Sequence, residues 1–365
     1  MRTLAVNGYP AASVEKELLK SGRTLAFRYE RYDKNNLFLG PFSGIIDGSV
    51  DHASFADIAG TAKFSIKSIE GIDWSNDRCK PFVRLKMPDG KYAEWSMGLF
   101  LLSSPAMSPG KIREIDAYDQ SFILLMDKVS DRYSVASGSV VTEVISTILA
   151  GAGIPLRTVV PSALTLPTAR DWDPGTPKAT IVNALLSSIN YQALWFDGDG
   201  YAVCRPYMSP SVSPTGWTYR DDASSMLTRE GSRTLDLFDV PNKWVLYVSD
   251  PDRPPLRSEY TNASMSSPTS TASRGFTIVD YREETDAVDQ ATLDAKVAII
   301  AYGASQIYEK VVINTGLMPM HEHFDVLSLR YGLMNIEDRY QETGWSMSLK
   351  VGAKMSHSLR KLVSL

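Results

Sequence analysis

Several features that define other protein classes are scarce in this chain of 365 residues. Its two cysteines, Cys79 and Cys204, are too few for a disulfide framework or for a zinc site of four thiolates. Lys and Arg number 38 against 42 Asp and Glu, so the basic excess of a protein that neutralises nucleic-acid phosphates is missing. No charge-free apolar run approaches the roughly 20 residues that cross a bilayer, and the N-terminus has no signal-peptide core. We therefore expect a soluble, mildly acidic protein made in a reducing compartment.

Composition and length together indicate a folded protein with more than one domain. Hydrophobic residues make up 44% and charged residues 22% of the chain, as in an average globular protein, so wholesale disorder is not expected. At roughly 100–200 residues per domain, the length predicts two or three folded units.

The first third of the sequence has the alternating pattern of antiparallel strands. After a short predicted helix at residues 13–21, apolar and polar residues alternate at 25–29, 62–66 and 83–87. Such alternation buries one face of a strand and exposes the other. Turn sequences separate these runs at 33–36, 47–48, 88–90 and 108–110. Residues from about 23 to 120 are therefore predicted to form a barrel or a sandwich.

The middle third changes to a helical pattern followed by a hairpin. Ser139 is a good N-cap for a helix whose apolar residues recur at three-to-four spacing. Thr176 and Pro177 are typical of a second helix start. The turn sequence at 197–200 then joins two short β-prone runs. Residues from about 125 to 206 are predicted to form a small α/β unit.

The last third returns to strands with one helix among them. Residues 244–248 form a strongly β-prone run, and closing strands are predicted at 311–313, 324–329 and 345–351. Residues 260–273 carry no charge and are rich in Ser, Thr, Asn and Ala, which predicts a long exposed loop with poor order. A helix is predicted to start at Thr285 or Asp286 and to end near Gly303.

The sequence His321-Glu322-His323 is the most tempting cluster of metal-binding residue types. Residues two apart on a strand point the same way, so both imidazoles could reach one ion. Only two other histidines exist, His52 and His357, and their spacing matches no zinc motif. We therefore favour an exposed polar connector after Pro319.

Acidic residues form two further candidate sites in the middle third. Asp197-Gly198-Asp199-Gly200 resembles the start of a calcium loop, but a β-prone run follows at once, so a tight turn is favoured. Asp171 and Asp173 flank Trp172 as the paired carboxylates of a hydrolase would, yet the neighbouring prolines favour a loop that leads into a helix.

Signatures of nucleophilic or nucleotide chemistry are missing as well. Cys79 lies between Arg78 and Lys80, which could lower its pKa, but no partner base is evident. The sequence has no Gly-x-Ser-x-Gly elbow, no dinucleotide-binding glycine motif and no phosphate loop. We predict no catalytic, cofactor-binding or metal-binding residues and no enzymatic activity.

An ordered set of short segments carries more information than any single motif. These segments are 27–30, 39–40, 45–50, 62–66, 72–74, 77–81, 98–105, 115–119, Trp172, the hairpin at 194–200, and 240–242. The set resembles the phage tail hub family, the baseplate-hub and tail-tip proteins of long-tailed bacteriophages, to which the N-terminal module of tail-associated lysins belongs. The similarity extends from about residue 15 to about residue 355.

The resemblance implies an α+β, β-rich fold in which two tail-tube-like β-barrel domains are joined by smaller α/β domains. We place the first barrel at residues 1–124 and the α/β domain, with two helices and a hairpin, at 125–206. The second barrel is placed at 207–365, with the helix near 285–303 inserted into it.

The resemblance also implies a structural role in the virion. Three chains would form a homotrimeric hub at the distal end of the tail and adapt a sixfold tube to a threefold tip. The expected partners are further copies of the chain, a distal tail or tube ring protein, a tape measure protein, and tail fibre or spike proteins. DNA is expected only in transit, and no membrane insertion is expected.

The expected location is the tail tip of a virion whose proteins are made in the host cytoplasm. Because the sequence ends at Leu365, any lytic or receptor-binding extension is expected on another polypeptide. A trimer would carry 3 × (−4) = −12 charges, and an acidic channel would let DNA slide without sticking.

Three alternatives remain open at this point. The chain could be the hub of a contractile injection system or of a gene-transfer particle. It could be a cell-wall hydrolase that uses the segment at 125–206. It could also be a glycan-binding tail module that uses Trp172, Trp195, Trp217 and Trp244.

Overall fold

The computed structural model describes residues 1–67, 71–103, 112–222, 225–250, 253–283, 287–306 and 309–362. Its helices are α1 (Ala11–Leu18), α2 (Ser121–Met126), α3 (Val141–Gly151), α4 (Lys178–Ser188), α5 (Thr271–Arg274) and α6 (Gln290–Ser305). The predicted turn at 108–110 and the predicted helix start at Thr285 or Asp286 lie outside the described residues. Strands predominate over helices, so the predicted α+β, β-rich class is confirmed.

The strands of the first half of the chain are short and mostly antiparallel. They are β1 (Leu25–Tyr32), β2 (Phe38–Pro41), β3 (Ile45–Ala53), β4 (Gly60–Lys67), β5 (Arg78–Lys86), β6 (Tyr92–Ser96), β7 (Phe100–Leu102), β8 (Ile112–Tyr118), β9 (Tyr133–Val135), β10 (Arg157–Val159), β11 (Arg170–Trp172), β12 (Trp195–Phe196) and β13 (Ala202–Cys204).

The strands of the second half include the longest one in the described chain. They are β14 (Trp217–Arg220), β15 (Leu227–Leu235), β16 (Lys243–Asp250), β17 (Arg253–Thr261), β18 (Val279–Glu283), β19 (Glu309–Gly316), β20 (Val326–Tyr331), β21 (Ile336–Ser348) and β22 (Lys354–Lys361). The sequence did not identify β14, β15 or β22.

One large sheet contains strands from both ends of the chain. Its order is β15-β19-β22-β21-β3-β4-β8-β7-β5-β1-β2, with β6 beside β5 and with β20 and β14 extending from β21. The two halves meet where β21 pairs antiparallel with β3, from Gly344 opposite Ala53 to Ser348 opposite Ser49. The first β unit (β1–β8) and the second β unit (β14, β15 and β19–β22) therefore form one continuous sheet.

Alternating burial explains why these segments are strands. Phe64 and Ile66 of β4 are buried while Lys63 and Lys67 are exposed, as the pattern in the sequence predicts. The buried side chains of both β units belong to one hydrophobic core. Because both β units bury one face of the sheet in this shared core, each unit stabilises the other. The favourable free energy scales with the apolar area removed from water.

A separate α/β unit lies between the two β units in the sequence. Helix α4 packs against α2 and α3, and small sheets are formed by β10, β13 and β12 and by β9 and β11. Leu124, Ile145 and Leu185 are fully buried in a core of their own. The helices and the hairpin occur where the sequence predicts them, although the N-cap of α3 is Val140 and not Ser139.

The segment between β15 and β19 forms a further sheet of its own. Strands β17, β16 and β18 pair in that order, and α6 packs on their face. Trp244 and Leu246 of β16 are fully buried against Leu293 and Val297 of α6. The strand at 244–248 is confirmed, but it pairs in this inserted sheet and not with the closing strands of the second β unit.

Of the exposed loop predicted at residues 260–273, the structure shows a loop only at 262–270, and this loop is partly buried. Tyr260 and Thr261 end β17, and Asn262, Thr269 and Ser270 are fully buried. The Asn262 side chain donates a hydrogen bond to the Ser267 hydroxyl at 2.8 Å, and the Ser270 side chain caps α5. Short polar side chains bond the nearby backbone and one another here, which makes a charge-free polar segment compact.

No helix among the described residues is long and apolar enough to span a bilayer.

Candidate functional site

All four histidines of the chain are buried close together where the β units join. His52 lies on β3 and His357 on β22, while His321 and His323 lie in the segment between β19 and β20. Their exposed fractions range from 0% for His357 to 9% for His52. The predicted exposed connector at His321-Glu322-His323 is therefore wrong, because strands from both β units surround this segment.

In one half of this histidine cluster, two histidines contact the same carboxylate. Glu342 Oε2 lies 2.7 Å from His321 Nδ1, and Glu342 Oε1 lies 2.6 Å from His357 Nδ1. The outer ring nitrogens face hydroxyls, with His321 Nε2 at 2.8 Å from the Tyr219 oxygen and His357 Nε2 at 2.9 Å from Thr315 Oγ1. We call His321, Glu342 and His357 the carboxylate triad.

Burial and the neighbouring groups have opposite effects on the pKa values of this triad. Burial opposes ionisation of the Glu342 carboxyl, but His321 and His357 together lower the pKa of that carboxyl to about 2. Burial lowers the pKa of His357, an effect that Glu342 partly offsets. The triad therefore holds an ionised carboxylate in the core at neutral pH.

The other half of the cluster is a column of stacked rings. Trp195 stacks on His323 with ring centroids 4.5 Å apart, and His52 stacks on Trp345 at 5.7 Å. His52 Nε2 and His323 Nδ1 are 3.2 Å apart and join the two stacks. The Arg205 guanidinium lies 4.7 Å above the Trp195 ring. This column links the α/β unit, the second β unit and the first β unit.

Both histidines of the column are held neutral. Burial lowers the pKa of His52 to about 4. Burial, together with the neighbouring His52 and Arg205, lowers the pKa of His323 well below its usual value.

Phe324, which follows His323, has a φ of 55°, a conformation that bulky residues rarely adopt. The turn at 321–325 is thus held in place by its surroundings.

Arg2 ties the same three units together beside the column. Its backbone N–H donates to the Met320 carbonyl at 2.8 Å, and its guanidinium bonds the Ser96 carbonyl and lies 3.4 Å from Asp199. Glu322 is a further ion-pair partner of Arg2 at 3.7 Å. A cavity of about 30 Å³ lies next to these groups, large enough for ordered water.

The structure shows a tight turn at the DGDG sequence and gives that turn a docking role. The Asp197 carboxylate accepts hydrogen bonds from the Asp199 and Tyr201 backbone at 2.9 Å, as expected for a tight turn. The Gly198 carbonyl accepts a hydrogen bond from the Gly98 backbone, and Lys80 donates to the Asp199 carbonyl. The turn thus holds the hairpin of the α/β unit on the first β unit.

Asp171, one of the two carboxylates beside Trp172, is held by other side chains. Asp171 lies on β11, 2.6 Å from Arg132, and the hydrogen bond from Ser134 and the charge of Arg132 lower the pKa of this carboxyl. A general acid needs a raised pKa. Asp173 lies in the loop before α4, where its carbonyl accepts a hydrogen bond from Thr176.

The cysteines and tryptophans named in the sequence analysis are mostly inside the protein. Burial raises the pKa of the Cys79 thiol well above its usual value and that of Cys204 to about 12. Trp195 and Trp244 are buried, whereas Trp172 and Trp217 are partly exposed and lie in different units. These four tryptophans do not share a surface.

Comparison with solved structures places this architecture among tail proteins. The tail protein from Neisseria meningitidis MC58 matches 92% of this chain and 97% of its own, with 13% identity and a TM-score of 0.66. The 43 kDa tail protein of prophage MuSo2 from Shewanella oneidensis matches 91% and 98%, with 11% identity and a TM-score of 0.63. The chain has the fold of phage tail proteins.

A chain from a larger complex is also similar in fold. A chain of the Francisella PdpA–VgrG complex matches 94% of this chain and 59% of its own, with 7% identity and a TM-score of 0.56. No protein-family model matches the sequence, and no curated protein gives a significant match. The resemblance drawn from the order of segments is thus confirmed at the level of the fold.

Sequence reasoning missed most of this site. Glu342, Tyr219 and Thr315 carry no motif. The partners of the histidines lie from 15 residues away, for His357 and Glu342, to 271 residues away, for His52 and His323. The sequence offered one usable signal, its small number of histidines, because a chain with only four can bring all of them to one site.

Proposed function

We propose that this protein is a structural component of a phage tail, a homotrimeric hub at the distal end of the tail tube. In this role each chain contributes two tube-like β units, so that three chains give six such units around a channel. The hub adapts a sixfold tube to a threefold tip and lets DNA pass.

The pairing of β21 with β3 is the observation that carries this proposal. It fuses two β units into one sheet, with Trp345 opposite His52 within the joint. A chain with two β units fixed side by side supplies a third of a six-unit collar. The fold shared with phage tail proteins supports the same role.

The two ends of the large sheet are suited to contact between copies. Within the described chain, β2 pairs only with β1 and β15 only with β19. Leu37, Phe38 and Leu39 are exposed at one end and Leu235 and Phe238 at the other, with Phe238 84% exposed. Open edges with apolar side chains favour association, and head-to-tail contacts close into a ring.

The mass of the purified protein in solution tests the trimer directly. We expect light scattering to give three times the 40.3 kDa of one chain. Ring-shaped particles with threefold symmetry should appear in electron micrographs of the same sample. A chain that stays monomeric at every concentration would contradict the proposal.

A second candidate is the hub of a contractile injection system, which the likeness to a chain of the PdpA–VgrG complex favours. The same trimer is expected in both cases. Copurification with a sheathed particle rather than with a phage tail would decide for this candidate.

The expected partners and location belong to the same proposal. As a tail hub, the protein would contact a tube-end ring protein, a tape measure protein and fibre or spike proteins, and it would reside at the tail tip. A cell-wall hydrolase remains testable by incubation with purified peptidoglycan. Release of soluble fragments that depends on Asp171 or Asp173 would contradict a purely structural role.

A further inference from the structure

The hydrogen bonds around Thr315 allow His357 to carry its proton on the outer ring nitrogen. Thr315 Oγ1 lies 2.8 Å from the Gly316 carbonyl and 2.9 Å from His357 Nε2. When the hydroxyl proton of Thr315 points to the Gly316 carbonyl, the hydroxyl oxygen can accept a hydrogen bond from His357 Nε2. In that tautomer a neutral His357 turns the lone pair of Nδ1 toward Glu342.

A similar arrangement is found at His321. The Tyr219 hydroxyl oxygen lies 2.8 Å from His321 Nε2 and can accept a hydrogen bond from that nitrogen. In that tautomer a neutral His321 also turns the lone pair of Nδ1 toward Glu342.

Three possible ligands of a metal ion thus meet in the core. The Nδ1 atoms of His321 and His357 lie 2.7 Å and 2.6 Å from the two Glu342 oxygens, and all three side chains are at most 1% exposed. One ligand atom from each residue lies within 4.8 Å of the other two. When both imidazoles are neutral, the triad itself holds no cation to balance the Glu342 charge, and a buried charge without such a partner is costly.

We propose that His321, Glu342 and His357 bind one divalent transition-metal ion of the Zn²⁺ type. Imidazole nitrogen and carboxylate oxygen are the donors that Zn²⁺ accepts, with metal–nitrogen distances of about 2.0–2.1 Å. The outer N–H groups would donate to Tyr219 and Thr315, and such hydrogen bonds commonly orient histidines that bind metals. The ion would balance the charge of the buried Glu342 carboxylate.

The position of the triad assigns this ion a structural task. His321 belongs to the segment before β20, Glu342 lies on β21 and His357 lies on β22. The ion fastens that segment to two strands of the second β unit. The same segment carries His323 and Glu322, which contact Trp195 and Arg2, so the ion also stabilises the joint between the units.

Metal analysis of the purified full-length protein tests the proposal. We expect about one Zn²⁺ per chain when the protein is prepared without chelator. Removal of the metal with a chelator should lower the thermal midpoint, and added Zn²⁺ should restore it. Co²⁺ in place of Zn²⁺ should give the visible absorption of a site with nitrogen and oxygen ligands.

Matched variants locate the site. Glu342→Gln and His357→Asn should lose the metal, whereas His52→Asn changes a buried histidine outside the triad and should keep it. Metal retained by both triad variants would overturn the assignment of ligands. If these variants fail to fold, the metal content and Co²⁺ spectrum of the natural protein decide. A natural protein that holds no metal and gains no stability from Zn²⁺ overturns the proposal and leaves protons in the triad.

Discussion

Single residues at the joint between the units show how burial controls charge. His52 and His323 are kept neutral by the rings around them, and Trp195 and Trp345 complete a column that crosses three units. A neutral imidazole loses little when it leaves water, whereas an imidazolium would lose its hydration. The column is therefore stable only while its histidines are unprotonated.

The stability of the protein should depend on pH through His52. Its pKa in the folded protein is about 4, below the 6.5 of an unfolded chain, so the unfolded state binds the proton more tightly. The contribution to stability is complete above about pH 6.5 and is lost as the pH falls toward 4, up to about 3 kcal/mol. Urea unfolding across this range measures it.

His52→Gln provides the control for this prediction. The variant is less stable at pH 7.5 because it loses the stacking on Trp345, but the free energy of unfolding should change less between pH 7 and pH 4.5. An equally steep loss in the variant would show that other groups cause the pH dependence.

At the scale of elements, the pairing of β21 with β3 decides the architecture, and Gly344 lies at its end. A Cβ atom on Gly344 would lie 2.8 Å from the His52 carbonyl oxygen, closer than such contacts occur. Because the obstacle is backbone, the strands must separate before a side chain fits. The close approach of the two β units thus requires glycine at this position.

Gly344→Ala should therefore destabilise the protein by roughly 1–3 kcal/mol, the usual range for overpacking. Gly303 in α6 has open space around it, so Gly303→Ala should be neutral or should stabilise the protein by about 0.5–1 kcal/mol through helix propensity. Urea unfolding of both variants gives the comparison. Equal effects would show that the β21–β3 contact is not tight.

Arg2 also connects elements, because it joins the turn at residues 197–200 to the first β unit. The side chain of Arg2 is 16% exposed and approaches Asp199 and Glu322 from two different units. Arg2→Ala should lower the free energy of unfolding by about 1–3 kcal/mol, since it removes the ion pair with Glu322 and the hydrogen bond to the Ser96 carbonyl. It should also speed proteolysis between the α/β unit and the β units.

Arg132→Ala is the matched control for Arg2. Arg132 pairs with Asp171 on the surface and is 67% exposed, so its loss should change stability by about 0.5 kcal/mol or less. If both arginine variants lost the same stability, Arg2 would not have the joining role that its contacts indicate.

At the scale of the whole molecule, the open edges of the large sheet predict how copies meet. Phe38→Asp and Phe238→Asp place a charge at opposite ends of that sheet and should reduce the mass in solution from three chains to one. Met265→Asp alters an equally exposed apolar residue, 81% exposed on the inserted unit, and should leave the trimer intact. A trimer that survives both phenylalanine changes would exclude these edges as the contact.

The sequence by itself determined the local structure of most segments. Alternation in β4 and β5, the helical spacing in α3 and α4, and the Asp-Gly turns all depend on neighbours a few residues apart. Such patterns report the period of each element and the face that it buries. The β-rich class and the order of units followed from them.

Only the tertiary structure decided which distant side chains meet. The pairing of β21 with β3, the inserted sheet around β16, and the gathering of four histidines depend on contacts between residues that lie far apart in the chain. The segment at His321 is polar, so the sequence predicts that it is exposed. Burial, however, depends on which parts of the folded chain cover a residue. Here the cover comes from β3, β21, β22 and the hairpin that carries Trp195, and no local pattern encodes it.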